Sequence, residues 1–111
     1  MSDASMPEVI DVHHLHKMRE AGEMHQLVDV REGWELEIAA LDGADHIPMG
    51  EVVDRMAELS RDKPLVIMCR SGGRSGNVVG YLRSQGFDNA TNLAGGILDW
   101  SSKIDPSKEQ Y

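Results

Sequence analysis

A three-layer α/β domain, with a mostly parallel central sheet flanked by helices, is the fold class this sequence predicts. Three observations predict it. Short apolar runs of strand length alternate along the chain with segments whose apolar residues recur at helical spacing. One run, Pro64-Leu65-Val66-Ile67-Met68, is apolar without alternation, as suits a central parallel strand covered on both faces. The chain has 111 residues, 41% hydrophobic and 27% charged, the size and composition of one globular domain.

The elements follow in order. Residues 1–7 read as an N-terminal tail, 8–105 as the domain and 106–111 as a C-terminal tail. Glu8–Ile10 is a short extended piece, and Asp11 stands where a helix N-cap belongs. Val12, Leu15, Met18 and Arg19 share one helical face, and Gly22 ends that helix. Gln26–Val30 is apolar enough for a buried strand. Trp34 to Leu41 is predicted as a short helix, and His46-Ile47-Pro48 as a brief extended segment, since the residue before proline is pushed toward β. Val52, Val53, Met56 and Leu59 predict a helix over Gly50–Ser60. After the Pro64–Met68 strand, Val78, Val79, Tyr81 and Leu82 predict a helix closing at Gly86. Phe87–Asn92 supplies one more strand, and Gly95-Gly96 opens a final helix around Ile97, Leu98 and Trp100. The seven methionines are expected to fill gaps in the core, Met1 excepted.

Composition excludes several functions. Eleven basic against nineteen acidic residues give a net charge of −8, which argues against nonspecific binding to nucleic acid phosphates. The longest apolar run, Leu65–Cys69, is far short of the roughly 20 residues that span a bilayer. Residues 1–7 lack the pattern of a signal peptide. The single cysteine, Cys69, rules out an internal disulfide and a cysteine-based metal cluster, so a cytoplasmic protein is expected. Five histidines raise the question of a metal. Only His13 and His16 share a helical face, and no carboxylate pattern completes a site.

The chemistry concentrates in Cys69-Arg70-Ser71-Gly72-Gly73-Arg74-Ser75. An apolar strand delivers the cysteine to the carboxyl edge of a parallel sheet, where open α/β folds place their crevices. Gly72 and Gly73 let the chain curl so that successive N–H groups turn inward. The following helix adds its own unpaired N–H groups and the positive end of its dipole. Such a cradle stabilises an anion, and the nucleophile within it is Cys69, whose thiol is expected to ionise readily. A lone cysteine after an apolar strand is more often a small buried hydrophobe. The order strand, cysteine, Gly-Gly between two arginines, helix makes the reactive reading the stronger one.

These residues resemble the active-site loop of single-domain rhodaneses, the thiosulfate-type sulfurtransferases, with Cys69 at the persulfide position. Leu27-Val28-Asp29-Val30-Arg31-Glu32 is similar to the family's first block and Asp45-His46-Ile47-Pro48 to its second. Asn92-Leu93-Ala94-Gly95-Gly96-Ile97 with Trp100 is similar to the closing block. The resemblance covers about residues 8–105. Many members carry glycine where Asp45 and Met49 stand here, a departure away from the sulfur.

The resemblance implies a two-step relay in which Cys69 is the catalytic residue. Cys69 takes sulfur from a donor such as thiosulfate and passes it to cyanide or to a thiol or protein acceptor. Arg70, Ser71, Gly72, Gly73, Arg74 and Ser75 form the substrate-binding loop. Asp29 and Arg31 support it, as an ion pair or loop brace rather than as direct substrate contacts. No cofactor, metal, nucleic acid or membrane is needed, and a monomer is expected. Rival readings are a sulfur-relay or redox-sensing module serving one protein partner, and a phosphatase or arsenate reductase on the same fold. Loop length argues against the last. Four residues separate Cys69 from Arg74, whereas phosphatase-type relatives resemble a pattern with five.

Overall fold

The computed structural model describes residues 5–111, so the first four residues of the expected tail lie outside the described part. Five strands form one sheet in the order β1-β5-β4-β2-β3, and every pairing is parallel. The strands are β1 (Val9–Ile10), β2 (Gln26–Asp29), β3 (Asp45–His46), β4 (Leu65–Met68) and β5 (Ala90–Leu93). The helices are α1 (Val12–Glu20), α2 (Gly33–Ile38), α3 (Gly73–Ser84) and α4 (Gly96–Lys103).

The unbroken apolar character of β4 follows from its place. It lies between β2 and β5, with Ile67 opposite Val28 on one side and Asn92 on the other. Its side chains alternate between two cores. Leu65, Ile67 and Cys69 join Val28, Val78, Val79, Leu82 and Phe87 beneath α3. Val66 and Met68 join Val12, Leu15, Met18, Ile97 and Trp100 beneath α1 and α4. Both faces of the strand are thus removed from water, the condition for a continuous apolar run. Asp11 caps α1 as expected, its carboxylate accepting the His14 amide at 2.9 Å.

Four sequence expectations are corrected. Gly50–Ser60 is not one helix but two 3-10 turns, Met49–Glu51 and Met56–Glu58. Gly50 and two adjacent β-branched valines disfavour a continuous helix. Val52 and Leu59 reach the core while Val53 stays exposed. The Trp34–Leu41 helix runs over Gly33–Ile38, because Arg31 takes the Ala39 carbonyl at 2.8 Å and draws that residue into extended geometry. The strand expected over Phe87–Asn92 is Ala90–Leu93; Phe87–Asn89 form a turn whose Phe87 carbonyl accepts the Ala90 amide. Met24 and Met49 are exposed, so the methionines are not uniformly core. Among the described residues no helix is long and apolar enough to cross a membrane.

Candidate active site

β4 ends at Met68 and places Cys69 at the carboxyl edge of the sheet, only 1% exposed. The chain then reverses into α3 through Gly72, whose φ of +106° is closed to most side-chain-bearing residues. This reversal aims donors at the sulfur. The Gly72 and Ser75 amides donate to Cys69 Sγ at 3.1 and 3.4 Å, and Ser75 Oγ lies 3.2 Å from it. Burial pushes the Cys69 thiol up. The Ser75 hydroxyl and the amides of Ser75, Gly72 and Ser71 more than offset this, holding it below its ordinary value.

The loop is gripped from behind by α4. The Ile97 and Leu98 amides donate to the Cys69 and Arg70 carbonyls at 3.0 and 3.1 Å. Gly96, at φ +53°, admits this approach: a Cβ there would stand 2.3 Å from the Cys69 carbonyl oxygen. With these carbonyls bonded on the α4 side, the amides of the loop are left for the sulfur.

A chain of charged groups flanks the loop. Arg74 makes a two-point ion pair with Glu35 of α2 at 2.7 and 2.8 Å. Glu35 is 3% exposed and also accepts the Tyr111 hydroxyl at 2.7 Å and the Glu32 amide at 2.8 Å. The Arg74 guanidinium foremost holds the Glu35 carboxyl down at about 2. Arg31 donates to the Tyr111 oxygen at 2.9 Å and pairs with Asp29 at 2.7 Å, both members fully buried. The Arg70 guanidinium lies 5.1 Å from the centre of the Tyr111 ring, and Trp34 meets that ring edge-on at 6.0 Å.

A profile of the rhodanese-like domain matches residues 11–103. The chain belongs to the rhodanese-like family. It is 40% identical over 75 residues to a sulfurtransferase of Allochromatium vinosum, covering 68% of this chain and 70% of that one. It is 38% identical over 118 residues to the chloroplastic rhodanese-like/PpiC domain-containing protein 12 of Arabidopsis thaliana, and spans 40% of that protein's length. A rhodanese-like domain protein of Staphylococcus aureus superposes with a TM-score of 0.81 at 28% identity, covering 95% of this chain and 99% of that one.

Within this rhodanese-like domain the site residues singled out from sequence divide into four groups. Cys69, Ser71, Gly72 and Ser75 surround the sulfur, through side chain or amide. Arg70 and Arg74 flank the loop, Arg74 already engaged by Glu35 and Arg70 against Tyr111. Gly73 opens α3 and is exposed. Asp29 and Arg31 are paired with each other, and Arg31 bonds Tyr111, whose ring lies against Arg70 and whose hydroxyl bonds Glu35, the partner of Arg74. His13 and His14 are exposed on α1, and His46 Nε2 donates to the Arg31 carbonyl at 2.7 Å. Among the described residues no group of three histidine, cysteine or acidic side chains is placed to hold a metal ion.

Three residues at the site, Glu35, Asn92 and Tyr111, were not among the site residues expected from sequence, although Asn92 stands in the block similar to the family's closing one. Glu35 could have been found from the spacing Glu32-x-x-Glu35, which forms a capping box at the start of α2. Asn92 carried a signal too, as a polar residue in the strand Ala90-Thr91-Asn92-Leu93. Tyr111 had none, lying 76 residues from the Glu35 it contacts.

Proposed function

We propose that this domain is a sulfurtransferase that moves a sulfane sulfur from thiosulfate or a similar donor, through a Cys69 persulfide, to cyanide or a thiol. The observation that carries the reading is the set of groups around one buried sulfur: two amides donating at 3.1 and 3.4 Å and the Ser75 hydroxyl at 3.2 Å. In the first step the Cys69 thiolate attacks the outer sulfur of thiosulfate. A new S–S bond forms, the donor's S–S bond breaks, and sulfite leaves with the electron pair. In the second, cyanide or an acceptor thiolate attacks the outer persulfide sulfur and the Cys69 thiolate leaves. Both resting thiolate and persulfide are anions, and fixed amides stabilise them without reorganising.

The arginines take different parts in this scheme. Arg74 is neutralised by Glu35, whereas Arg70 has no ion-pair partner among the described residues. Arg70 is therefore the cation that draws an anionic donor to the loop. The six-residue span from Cys69 to Arg74 makes a cradle for one terminal sulfur, and it is too tight for in-line attack on a phosphoryl group.

Intact-mass measurement after thiosulfate treatment tests the reading. One sulfur atom is gained by the wild type, removed by cyanide and absent from Cys69→Ser. On the same preparation, aryl phosphate hydrolysis and arsenate reduction are negligible. Thiocyanate formation by Cys69→Ser at the wild-type rate, or cysteine-dependent phosphatase turnover exceeding sulfur transfer, overturns it.

A further inference from the structure

Ser75 has one hydroxyl proton and two acceptors competing for it. Cys69 Sγ lies 3.2 Å away and Asn92 Oδ1 2.5 Å away. The orientation of the Asn92 amide follows from its other contact: Nδ2 donates to the Gly72 carbonyl at 3.1 Å, an oxygen that can only accept. A flipped amide would set two oxygens against each other there. Glycine at 76 and 72 leaves room for this amide, since a Cβ built at Gly76 would lie 3.3 Å from Nδ2 and one at Gly72 3.7 Å. Oδ1 is therefore held facing Ser75.

We infer that Asn92 is a positioning residue for the sulfur, acting through Ser75 by setting the direction of the single hydroxyl proton. With a neutral thiol every donor is used: Sγ–H donates to Ser75 Oγ, and Ser75 O–H donates to Asn92 Oδ1. With a thiolate the hydroxyl turns to sulfur and Asn92 Oδ1 loses its donor. When the thiol ionises, its proton passes to solvent water. In the persulfide the charge moves to the outer sulfur, and the hydroxyl returns to Asn92. Asn92 thus favours the two states in which the inner sulfur is neutral, thiol and persulfide, over the bare thiolate. It keeps the nucleophile basic enough to be reactive, since sulfur nucleophilicity falls with thiol pKa.

Other charges around this edge are engaged elsewhere. Asp29 and Arg31 at the end of β2 pair with each other, and His46 of β3 bonds the Arg31 carbonyl. Glu35 of α2 pairs with Arg74 of α3, and Asp99 with Lys103 on α4. Arg70 lies against the ring of Tyr111. Among the described residues none of these side chains bonds Ser75 or Asn92, whose side-chain partners are Cys69, Gly72 and each other. Glu8, before β1, meets the pair through its backbone, its carbonyl accepting the Asn92 amide at 2.9 Å. Asp45 on β3 and Asp88 before β5 make no hydrogen bond to Ser75 or Asn92 among the described residues.

The inference rests on Cys69 as the reacting sulfur. Its test uses iodoacetamide alkylation against pH with no sulfur donor, so it fails or succeeds separately from sulfur transfer. Four proteins are compared: wild type, Asn92→Leu, Ser75→Ala and the double variant. Asn92→Leu is expected to lower the alkylation midpoint, raising the rate below it about threefold to tenfold, as one ordinary hydrogen bond implies. Ser75→Ala raises the midpoint, and in that background Asn92→Leu changes the rate less than about twofold. An unchanged or raised midpoint in Asn92→Leu, or an equal shift in both backgrounds, overturns the inference. Should Asn92→Leu not fold, the wild-type protein decides. The Asn92 side-chain carbonyl carbon signal is expected to titrate with the Cys69 midpoint, and a flat trace overturns the inference.

Discussion

Replacing Glu35 by Gln removes one charge from the chain that joins Arg31, Tyr111 and Arg74, and leaves the shape nearly unchanged. The wild-type carboxyl sits at about 2 against an ordinary 4.5, chiefly through its bond to Arg74. At about 1.4 kcal/mol for each tenfold change in proton affinity, that depression corresponds to about 3 kcal/mol of folding free energy. The Arg74 side chain is 33% exposed, so solvent screens the partner and about 2 kcal/mol is the expected share. Because the folded carboxyl is more acidic than the unfolded one, this stability is present above pH 4.5 and is lost as pH falls through about 2. Thermal unfolding of wild type and Glu35→Gln is then expected to differ by about 8–10 °C at pH 7, from roughly 4–5 °C for each kcal/mol in a domain of this size. The gap closes as pH falls from 5 toward 2. A gap of constant width across that range would refute the electrostatic origin, and no gap at pH 7 would refute the ion pair's contribution.

Gly96→Ala forces a Cβ within 2.3 Å of the Cys69 carbonyl oxygen and 2.6 Å of that of Arg70. It is expected to cost more than about 3 kcal/mol, by strain at a positive φ and displaced backbone, and to slow alkylation of Cys69. A melting curve and an alkylation rate equal to wild type contradict that. Tyr111→Phe keeps the ring against Arg70 but removes the oxygen between Arg31 and Glu35. A loss of about 1–2 kcal/mol is expected in urea unfolding, the cost of leaving a buried donor short of a partner; a neutral result would mean the hydroxyl is replaced by water.

How much of this was readable from the chain depends on range. The run Leu65–Met68 and the glycines that follow announce a central strand and an anion-binding turn, because burial on both faces and the need for positive φ leave direct marks on composition. The 3-10 turns between Met49 and Glu58 left no such mark. Val52, Met56 and Leu59 are spaced as in a helix, and against that spacing Gly50 and the paired valines are only a weak local signal. The same holds at the site. The cradle around Cys69 is built by residues within six positions, and local chemistry dictates it. Glu35, Asn92 and Tyr111 arrive from α2, β5 and the C-terminal segment, and their roles exist only once the fold brings them together. Arg31 shows the limit most plainly: its pairing with Asp29 two residues earlier was readable, its bond to Tyr111 eighty residues later was not.

The outermost strands of the sheet are each two residues long, Val9–Ile10 on one side and Asp45–His46 on the other. An outer strand normally offers a row of free amides and carbonyls along which a foreign strand can zip. Here that row is too brief to hold register. Pro48 follows β3 within two residues, without a backbone N–H to offer. On the proposed function, a protein acceptor would find little sheet edge to extend and would instead meet side chains around the loop's rim. Of the three four-residue strands, β4 is flanked by strands on both sides, while β2 and β5 are each covered on the outer side over two residues.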